Sequence, residues 1–143
     1  MFKDKVKVTG NLEISLNGKV VRKIKNLVVT AGKEWIASRM QGVADSVMTH
    51  MAIGTGSTAA VIGDTTLETE LARGALTVSG GSVAGAVITF ATTYAAGTGT
   101  GAITEAGIFN DATVGDMLAR TVFSVVNKGA ADSMTLKWSV TIS

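Results

Sequence analysis

The chain has 143 residues, of which 46% are apolar and only 17% are charged, against roughly 25% charged in typical soluble domains. It contains no cysteine and one histidine, which excludes disulfides and thiolate metal sites and leaves little for a metal centre or a nucleophilic triad. No run of about 18 apolar residues predicts a membrane span, and no signal-peptide core follows the first residues, so we expect a chain that is soluble and intracellular at synthesis.

The shortage of charge indicates assembly, because a monomer with so few charges would expose the apolar or neutral surface that marks interfaces. Residues 1–40 carry nine Lys and Arg against three acids, a net +6, whereas residues 41–143 carry four against eight, a net −4. The basic residues alternate with apolar ones, which favours a solvated strand face. Packing of the basic end of one subunit on the acidic body of another is a second interpretation.

The chain opens with a predicted basic β-hairpin over residues 1–30. Apolar and polar residues alternate from Val6 to Leu16, which is the period of a half-buried strand. Asn17-Gly18 follows and favours a type I′ turn, because both central residues of that turn need a positive φ. A strand rich in Val and Ile is then predicted from Lys19 to Val29.

One short amphipathic helix is predicted over residues 32–41, because Trp35, Ile36 and Met40 fall near one face. Residues 47–143 are predicted to be mostly strands, with a single helical turn at 67–71. The predicted strands are 47–53, 76–79, 84–93, 103–109, 117–126 and 133–143.

Short strands at this spacing predict a mainly β fold, either an antiparallel sandwich or a barrel. Of these we expect an antiparallel, jelly-roll-like β-sandwich with an N-terminal β-hairpin and one short α-helix. The whole chain, residues 1–143, is expected to form a single domain, since this length is typical of one domain.

The residues available for chemistry each have a structural explanation. His50 lies in an apolar strand; Asp45 is an acid that could pair with it, and we favour a structural role. The segment Gly54–Thr58 resembles a phosphate cradle but lacks the lysine of a P-loop and a long following helix, so it predicts a turn. Glu68 and Glu70 are interpreted as solvated loop acids. We therefore predict no catalytic residue, no cofactor and no metal ion.

Glu105 is the acid that most needs a partner, because it lies beside apolar residues that look buried. Arg73 and Arg120 are the candidate partners, and a structural salt bridge, within the chain or across a subunit boundary, is the expected arrangement. The basic hairpin is a weak candidate for nucleic-acid binding, because single-strand binders add aromatic stacking platforms and no aromatic residue lies between Lys3 and Lys33. We predict neither a nucleic-acid nor a membrane partner.

Four blocks of sequence resemble a pattern of tailed-bacteriophage virion proteins. They are Met51-Ala-Ile-Gly-Thr-Gly-Ser-Thr-Ala-Ala60, Asp64-Thr-Thr-Leu-Glu-Thr-Glu-Leu-Ala-Arg73, Ile103-Thr-Glu-Ala-Gly-Ile-Phe-Asn110 and Met117-Leu-Ala-Arg-Thr121. The pattern is similar to that of tail-collar fibre modules, baseplate-associated proteins and small capsid decoration (cement) proteins, and it extends over residues 26–143. The resemblance implies a β-sandwich, homotrimeric assembly and no enzymatic activity.

The resemblance also places Glu70, Arg73, Glu105 and Arg120 at recurring charged positions, where they are expected to fix strands or subunits. Fibre proteins of this style continue into a shaft or a receptor-binding tip, whereas this sequence stops at Ser143, which favours a stand-alone part.

The expected function is that of a homotrimeric capsid decoration protein, made in the host bacterial cytoplasm and carried in the virion. Its basic hairpin, with Lys19, Lys23 and Lys25, is expected to dock on an acidic surface of the major capsid protein or another virion protein. The alternative is a tail fibre, collar or head–tail adaptor subunit.

A weaker third hypothesis is a carbohydrate-binding module or a glycan-active enzyme. It needs clustered exposed aromatics or a close carboxylate pair. Only Trp35, Tyr94 and Trp138 are available as aromatic platforms, and two of these are expected to be buried.

Overall fold

The chain is mainly β and antiparallel. The computed structural model describes residues 5–42 and 46–143, and it confirms a mainly β fold with an N-terminal hairpin and one helix among these residues. In chain order the elements are β1 (Val8–Leu16), β2 (Lys19–Val28), α1 (Thr30–Gln41), β3 (His50–Gly54), β4 (Glu70–Ala75), β5 (Ser82–Ala84), β6 (Val87–Tyr94), β7 (Gly101–Phe109), β8 (Met117–Lys128) and β9 (Met134–Ile142).

The predicted hairpin forms with the predicted turn. Asn17 and Gly18 have φ values of 51° and 82°, as a type I′ turn requires. The Asn17 amide also ties the turn to the loop before β9, because its Nδ2 donates to Asp132 Oδ1 at 2.8 Å and its Oδ1 accepts from Ser133 N at 3.0 Å. The tip of the hairpin is therefore anchored to another part of the sheet.

The strands form one curled sheet in the order β4-β3-β7-β8-β2-β1-β9-β6-β5. The curl occurs at β2: its residues up to Asn26 pair with β1, while Leu27 and Val28 pair with β8. Just beyond β4, Thr77 N donates to Ala91 O of β6 at 2.8 Å, so strands near opposite ends of the sheet meet. We call β2, β1, β9, β6 and β5 the hairpin half of the sheet.

A single main core fills the space between the two parts of the curled sheet. In β9 the apolar residues of the predicted alternation, such as Leu136 and Trp138, are buried. Tyr94 of the neighbouring strand β6 is buried on the same face, and its hydroxyl donates to Met51 O of β3. Burial raises the pKa of the Tyr94 phenol far above its ordinary value, because the charged form would be desolvated.

The helix begins at Thr30, two residues before the predicted start. Its Gly32 lies so close to β8 that a Cβ there would be 2.1 Å from Leu118 O, so glycine is required at this contact. The predicted placement of Met40 on the packed face is wrong, since its side chain is 86% exposed. Within residues 5–42 and 46–143, no helix has the length and apolar character needed to cross a membrane.

Two further local predictions are wrong. Residues 67–71 form no helical turn, because the chain is irregular until β4 begins at Glu70. Residues 76–79 form no strand. Leu76 N donates to Thr49 O and Thr77 N donates to Ala91 O, so this segment bridges two strands instead of pairing along one. The possible pairing of His50 with Asp45 lies outside the described residues.

Candidate functional site

Residues 55–69, which we call the covering loop, pack on the outer face of β3, β7 and β8. Leu67 of this loop is buried in a second, smaller core with Val29, Ala52, Phe109 and Met117. We call β4, β3, β7 and β8 the covered half of the sheet. Strands β3, β7 and β8 are thus packed on both faces, with the main core on the inside and the covering loop on the outside.

Glu105 of β7 holds the covering loop in place. Its side chain is fully buried. Oε1 accepts hydrogen bonds from Gly56 N at 3.1 Å and Thr69 N at 2.7 Å, and Oε2 accepts one from Glu68 N at 3.0 Å. Oε2 also accepts from Arg120 Nε at 3.1 Å and Nη2 at 2.9 Å. Both ends of the loop are therefore bound to one buried carboxylate.

Arg120 of β8 extends this network to the middle of the loop. Its Nη1 donates to Asp64 Oδ2 at 2.8 Å, and its Nη2 donates to Thr58 O at 3.0 Å. Burial lowers the pKa of the guanidinium, but its hydrogen bonds and ion pairs with Glu105 and Asp64 outweigh that effect and raise the pKa. We call Glu105, Arg120 and Asp64 the buried ion cluster. The expected salt bridge of Glu105 thus lies within the chain, with Arg120 as the partner.

Close approach explains the glycines of the four sequence blocks. A Cβ on Gly54 would lie 2.2 Å from Thr69 O, and one on Gly56 would lie 2.6 Å from Glu105 Oε1. A Cβ on Gly107 would lie 3.1 Å from Leu67 Cδ2. Gly54 and Gly56 therefore permit the close approach of the covering loop to the sheet, and Gly107 leaves room for the side chain of Leu67.

The segment that resembles a phosphate cradle binds carboxylates of its own chain. Gly56 N donates to Glu105, and Thr58 N donates to Glu68 Oε2 at 2.9 Å. The hydrogen bonds with Thr58 hold the pKa of Glu68 below its usual value. Two backbone amides that a phosphate would need are thus already used, and the segment forms an irregular loop.

Arg73 and Glu70, the other predicted charged pair, form a second site on β4. Arg73 Nη2 lies 2.6 Å from Glu70 Oε1, and the guanidinium stacks over Phe109 at 3.8 Å from the ring centre. Arg73 Nη1 donates to the carbonyls of Asp111 at 3.1 Å and Val114 at 2.8 Å. Arg73 therefore positions residues 110–116, which we call the acidic loop, between β7 and β8.

The outer face of the hairpin half differs from that of the covered half. Apart from Val20 and Val87, its side chains are polar or small, and none of them is buried. Lys23, Glu13 and Lys137 form one row across β2, β1 and β9. A cavity of about 460 Å³ lies on this face, lined in part by Lys23, Lys25 and Lys137. Lys19 lies beside the turn and is exposed.

The aromatic residues and His50, which were the remaining candidates for binding or chemistry, lie in surroundings that give them a structural role. Trp138 and Tyr94 are buried, while Trp35 is half-buried and its Nε1 donates to Ser46 O at 2.9 Å. His50 is half-buried, with Nδ1 2.8 Å from Thr49 Oγ1. In the part of the chain that the structure describes, no three His, Cys, Asp or Glu residues are grouped to hold a metal ion.

Sequence reasoning missed two residues that the structure makes important. Asp64 joins the buried ion cluster, and its one signal was its place at the start of the second sequence block. Arg22 spans the gap where β2 separates from β8, because it donates to Ser124 O at 3.2 Å and Val125 O at 2.8 Å. No motif of the sequence pointed to that contact.

The four sequence blocks meet at the covering loop and the buried ion cluster, with the acidic loop and Arg73 at one end. Comparisons with protein-family models, with curated proteins and with solved structures find no match for the chain. The resemblance to phage virion proteins therefore stays a prediction that rests on the four blocks. The assignment of the seven charged residues to interfaces also stays a prediction; of these, Glu105 and Arg120 are too buried to touch a partner directly.

Proposed function

We propose that the chain is a non-enzymatic structural subunit of a bacteriophage virion, a homotrimeric capsid decoration protein that stabilises the head. The observation that carries this proposal is the convergence of all four phage-like blocks on one buried cluster, whose polar groups are engaged in holding the covering loop. The four blocks therefore stabilise the fold by holding the covering loop on the sheet.

A structural role is favoured because the acids and bases singled out as chemical candidates are committed. Glu105 accepts five hydrogen bonds, and Arg120 binds two carboxylates. A general acid or base needs a free position within reach of a substrate, and neither side chain offers one. A glycan platform lacks support as well, since Tyr94 and Trp138 are buried.

The docking surface in this proposal is the basic hairpin, with Lys23 and Lys25 on the outer face of the hairpin half and Lys19 exposed beside the turn. A solvated sheet face of mostly small polar residues with a few lysines suits contact with an acidic protein surface. Complementary charge steers association and fixes register more than it adds affinity, so attachment through this face is expected to weaken as salt is raised.

The test is addition of purified protein to phage particles stripped of it. The proposal expects trimers that bind the head at many equivalent lattice positions. The triple variant Lys19→Glu, Lys23→Glu and Lys25→Glu is expected to bind at least about tenfold more weakly, a loss of ~1.4 kcal/mol. The matched control replaces the same three lysines with arginine and should retain binding.

Two results would contradict the proposal. Unchanged occupancy of the glutamate variant would reject this face as the docking surface. A few copies per virion, confined to the tail vertex, would reject decoration and support the alternative of a tail fibre, collar or head–tail adaptor subunit.

A further inference from the structure

The acidic loop presents an apolar residue in a strained conformation. Val114 has φ of 56°, a left-handed conformation that β-branched residues rarely adopt because of steric clash. Its side chain is 80% exposed, so no burial within the described chain offsets the strain. Outliers of this kind persist where the surroundings fix them and are concentrated at binding sites.

The loop around Val114 is held rigidly by its neighbours. Asp116 N donates to Asn110 Oδ1 at 2.7 Å, and Thr113 N donates to Asp111 Oδ1 at 3.0 Å. Arg73 of β4 also donates a hydrogen bond to the Val114 carbonyl. The loop is therefore preorganised, and binding through it costs little ordering entropy.

The surroundings of Val114 are acidic. Asp111 and Asp116 are exposed on the same loop, and exposed Glu34 of α1 lines a shallow cavity together with Asp116. The resulting surface consists of one exposed apolar side chain, Val114, with carboxylates around it. A partner for it needs an apolar recess with a basic rim.

The chain contains such a recess where β1 and β2 separate. Their pairing ends at Gly10 and Asn26. Beyond that point a cavity of about 380 Å³ opens between the strands, with Val8 and Lys33 in its wall. An adjoining cavity of about 480 Å³ is lined by Val6, Lys7, Val8 and Lys33 among others. We call this region the basic cleft.

The basic cleft has the composition that the acidic loop requires. Val6 is apolar and 74% exposed at the cleft, and Lys7 and Lys33 are exposed at its rim. None of the ion pairs that the structure describes involves Lys7, Lys33, Asp111 or Asp116. Asp111 and Asp116 each accept one hydrogen bond within the loop, but no described ion pair neutralises any of the four charges.

We propose that the acidic loop of one subunit seats in the basic cleft of a second copy of this chain, with Val114 entering between the diverging strands. Asp111 and Asp116 then face Lys7 and Lys33 of the neighbour. The inference rests on the self-association proposed above and names the surfaces that produce it. The contact is heterologous, because two different patches meet, so it generates a closed ring or an open filament.

The position of the two patches favours a small ring. Lys33 and Glu34 are consecutive residues in the first turns of α1, and they line the basic cleft and the acidic cavity respectively. The two patches thus flank the same helix, and its consecutive residues point about 100° apart, so the two neighbours bind on adjacent sides of the subunit and not on opposite ones. A subunit whose neighbours lie on adjacent sides closes a ring of few members.

The experiment measures the mass of the assembled full-length chain by light scattering over a dilution series. We expect Asp111→Lys with Asp116→Lys, and separately Lys7→Glu with Lys33→Glu, to raise the dissociation concentration at least about tenfold through like-charge contact. One chain with all four substitutions restores opposite charges across the contact and should reassemble. Thr98→Glu with Thr100→Glu, exposed before β7 and outside both patches, is the control and should assemble as the parent chain does.

Val114→Gly separates binding from folding. Glycine removes the strain at this φ, so the folded chain should be as stable as the parent or more stable, while assembly weakens. An assembled parent whose loop and cleft variants assemble equally well would overturn this inference and leave self-association standing. A monomeric parent would overturn both proposals. Failure of the four-substitution chain to reassemble while it remains folded would also overturn the pairing of these two patches.

Discussion

The outer face of one half of the sheet is covered by a loop, whereas the outer face of the other half is solvated. The covered half carries the covering loop, which is bound by a buried carboxylate and a buried guanidinium. The hairpin half carries threonines, serines and lysines that stay exposed or half-buried. Antiparallel sheets commonly have one solvated face, so it is the covered half that needs explanation, and the buried ion cluster supplies it.

The difference shows which interactions fix the backbone in each half. In the covered half, one set of charges fixes fifteen residues of irregular backbone, from 55 to 69, that no regular pairing could hold. In the hairpin half, backbone pairing between neighbouring strands and the burial of alternate residues of β9 fix the structure. Arg22 of the hairpin half is bound to β8, but the lysines on its outer face take part in no described ion pair and can contact a partner, whereas the charges of the buried ion cluster hold the fold.

The largest effect is expected at Glu105. Glu105→Gln removes the charge that balances Arg120 and turns one acceptor oxygen into a donor that faces backbone N–H groups. Breaking a buried ion pair on one side costs about 3–5 kcal/mol, and the free energy of unfolding should fall by that amount in denaturant titration. Glu13→Gln in the hairpin half should change it by less than about 0.5 kcal/mol. Equal losses at the two positions would remove the distinction between the halves.

A smaller loss is expected when the apolar contact of the covering loop is cut. Leu67→Ala leaves a cavity between the loop and the outer face of the sheet, and such changes cost about 2–5 kcal/mol. Hydrogen exchange should show faster exchange at the amides of Gly56 and Thr69, with β1 and β9 little changed. Thr89→Ala, on the open face, is the matched control. Uniform loss of protection across the molecule would mean that the loop is no separate unit of the fold.

Local signals predicted β1, β2 and β9 of the hairpin half well, whereas the strand predicted over 84–93 is broken by a turn at 85–86 between β5 and β6. Asn17-Gly18 specifies its turn through two positive φ values, and the alternation of β9 specifies which face is buried. Both signals act between neighbours in sequence. The sequence alone therefore contained the physical information that determines this part of the fold.

The covered half could not be predicted in the same way. Arg120 meets Asp64 across 56 positions, and no local pattern encodes that distance. Leu67 and Leu71 have helical spacing, yet Leu67 is buried on the sheet while Leu71 is 43% exposed at its edge. Tertiary packing decides between these two leucines, so the predicted helical turn was wrong. The charged residues themselves were found because Glu105 stood among apolar neighbours.

The smallest predicted effect concerns Asp132, a surface carboxylate that binds the turn of the hairpin. Asp132 accepts hydrogen bonds from Asn17 Nδ2 and from Gly129 N, each at 2.8 Å, and the bond from Asn17 contributes most to lowering its pKa below the ordinary value of 3.8. A lowered pKa in the folded state means that the charged form stabilises the fold. That contribution is complete above pH 3.8 and is lost as the pH falls through the folded-state pKa.

Asp132→Asn should therefore flatten part of the decline in thermal stability below pH 3.8, measured as the unfolding midpoint across an acid titration. The change should be slight because the group is exposed to solvent and screened by it. Glu13→Gln is again the control, since Glu13 makes no hydrogen bond described for the hairpin turn. Parallel acid profiles for the parent and Asp132→Asn would show that the charge of Asp132 does not help to anchor the hairpin tip. Neutral hydrogen bonds, such as the one from Ser133 N to Asn17, and strand pairing would then fix the hairpin half, which would sharpen its contrast with the ion-bound covered half.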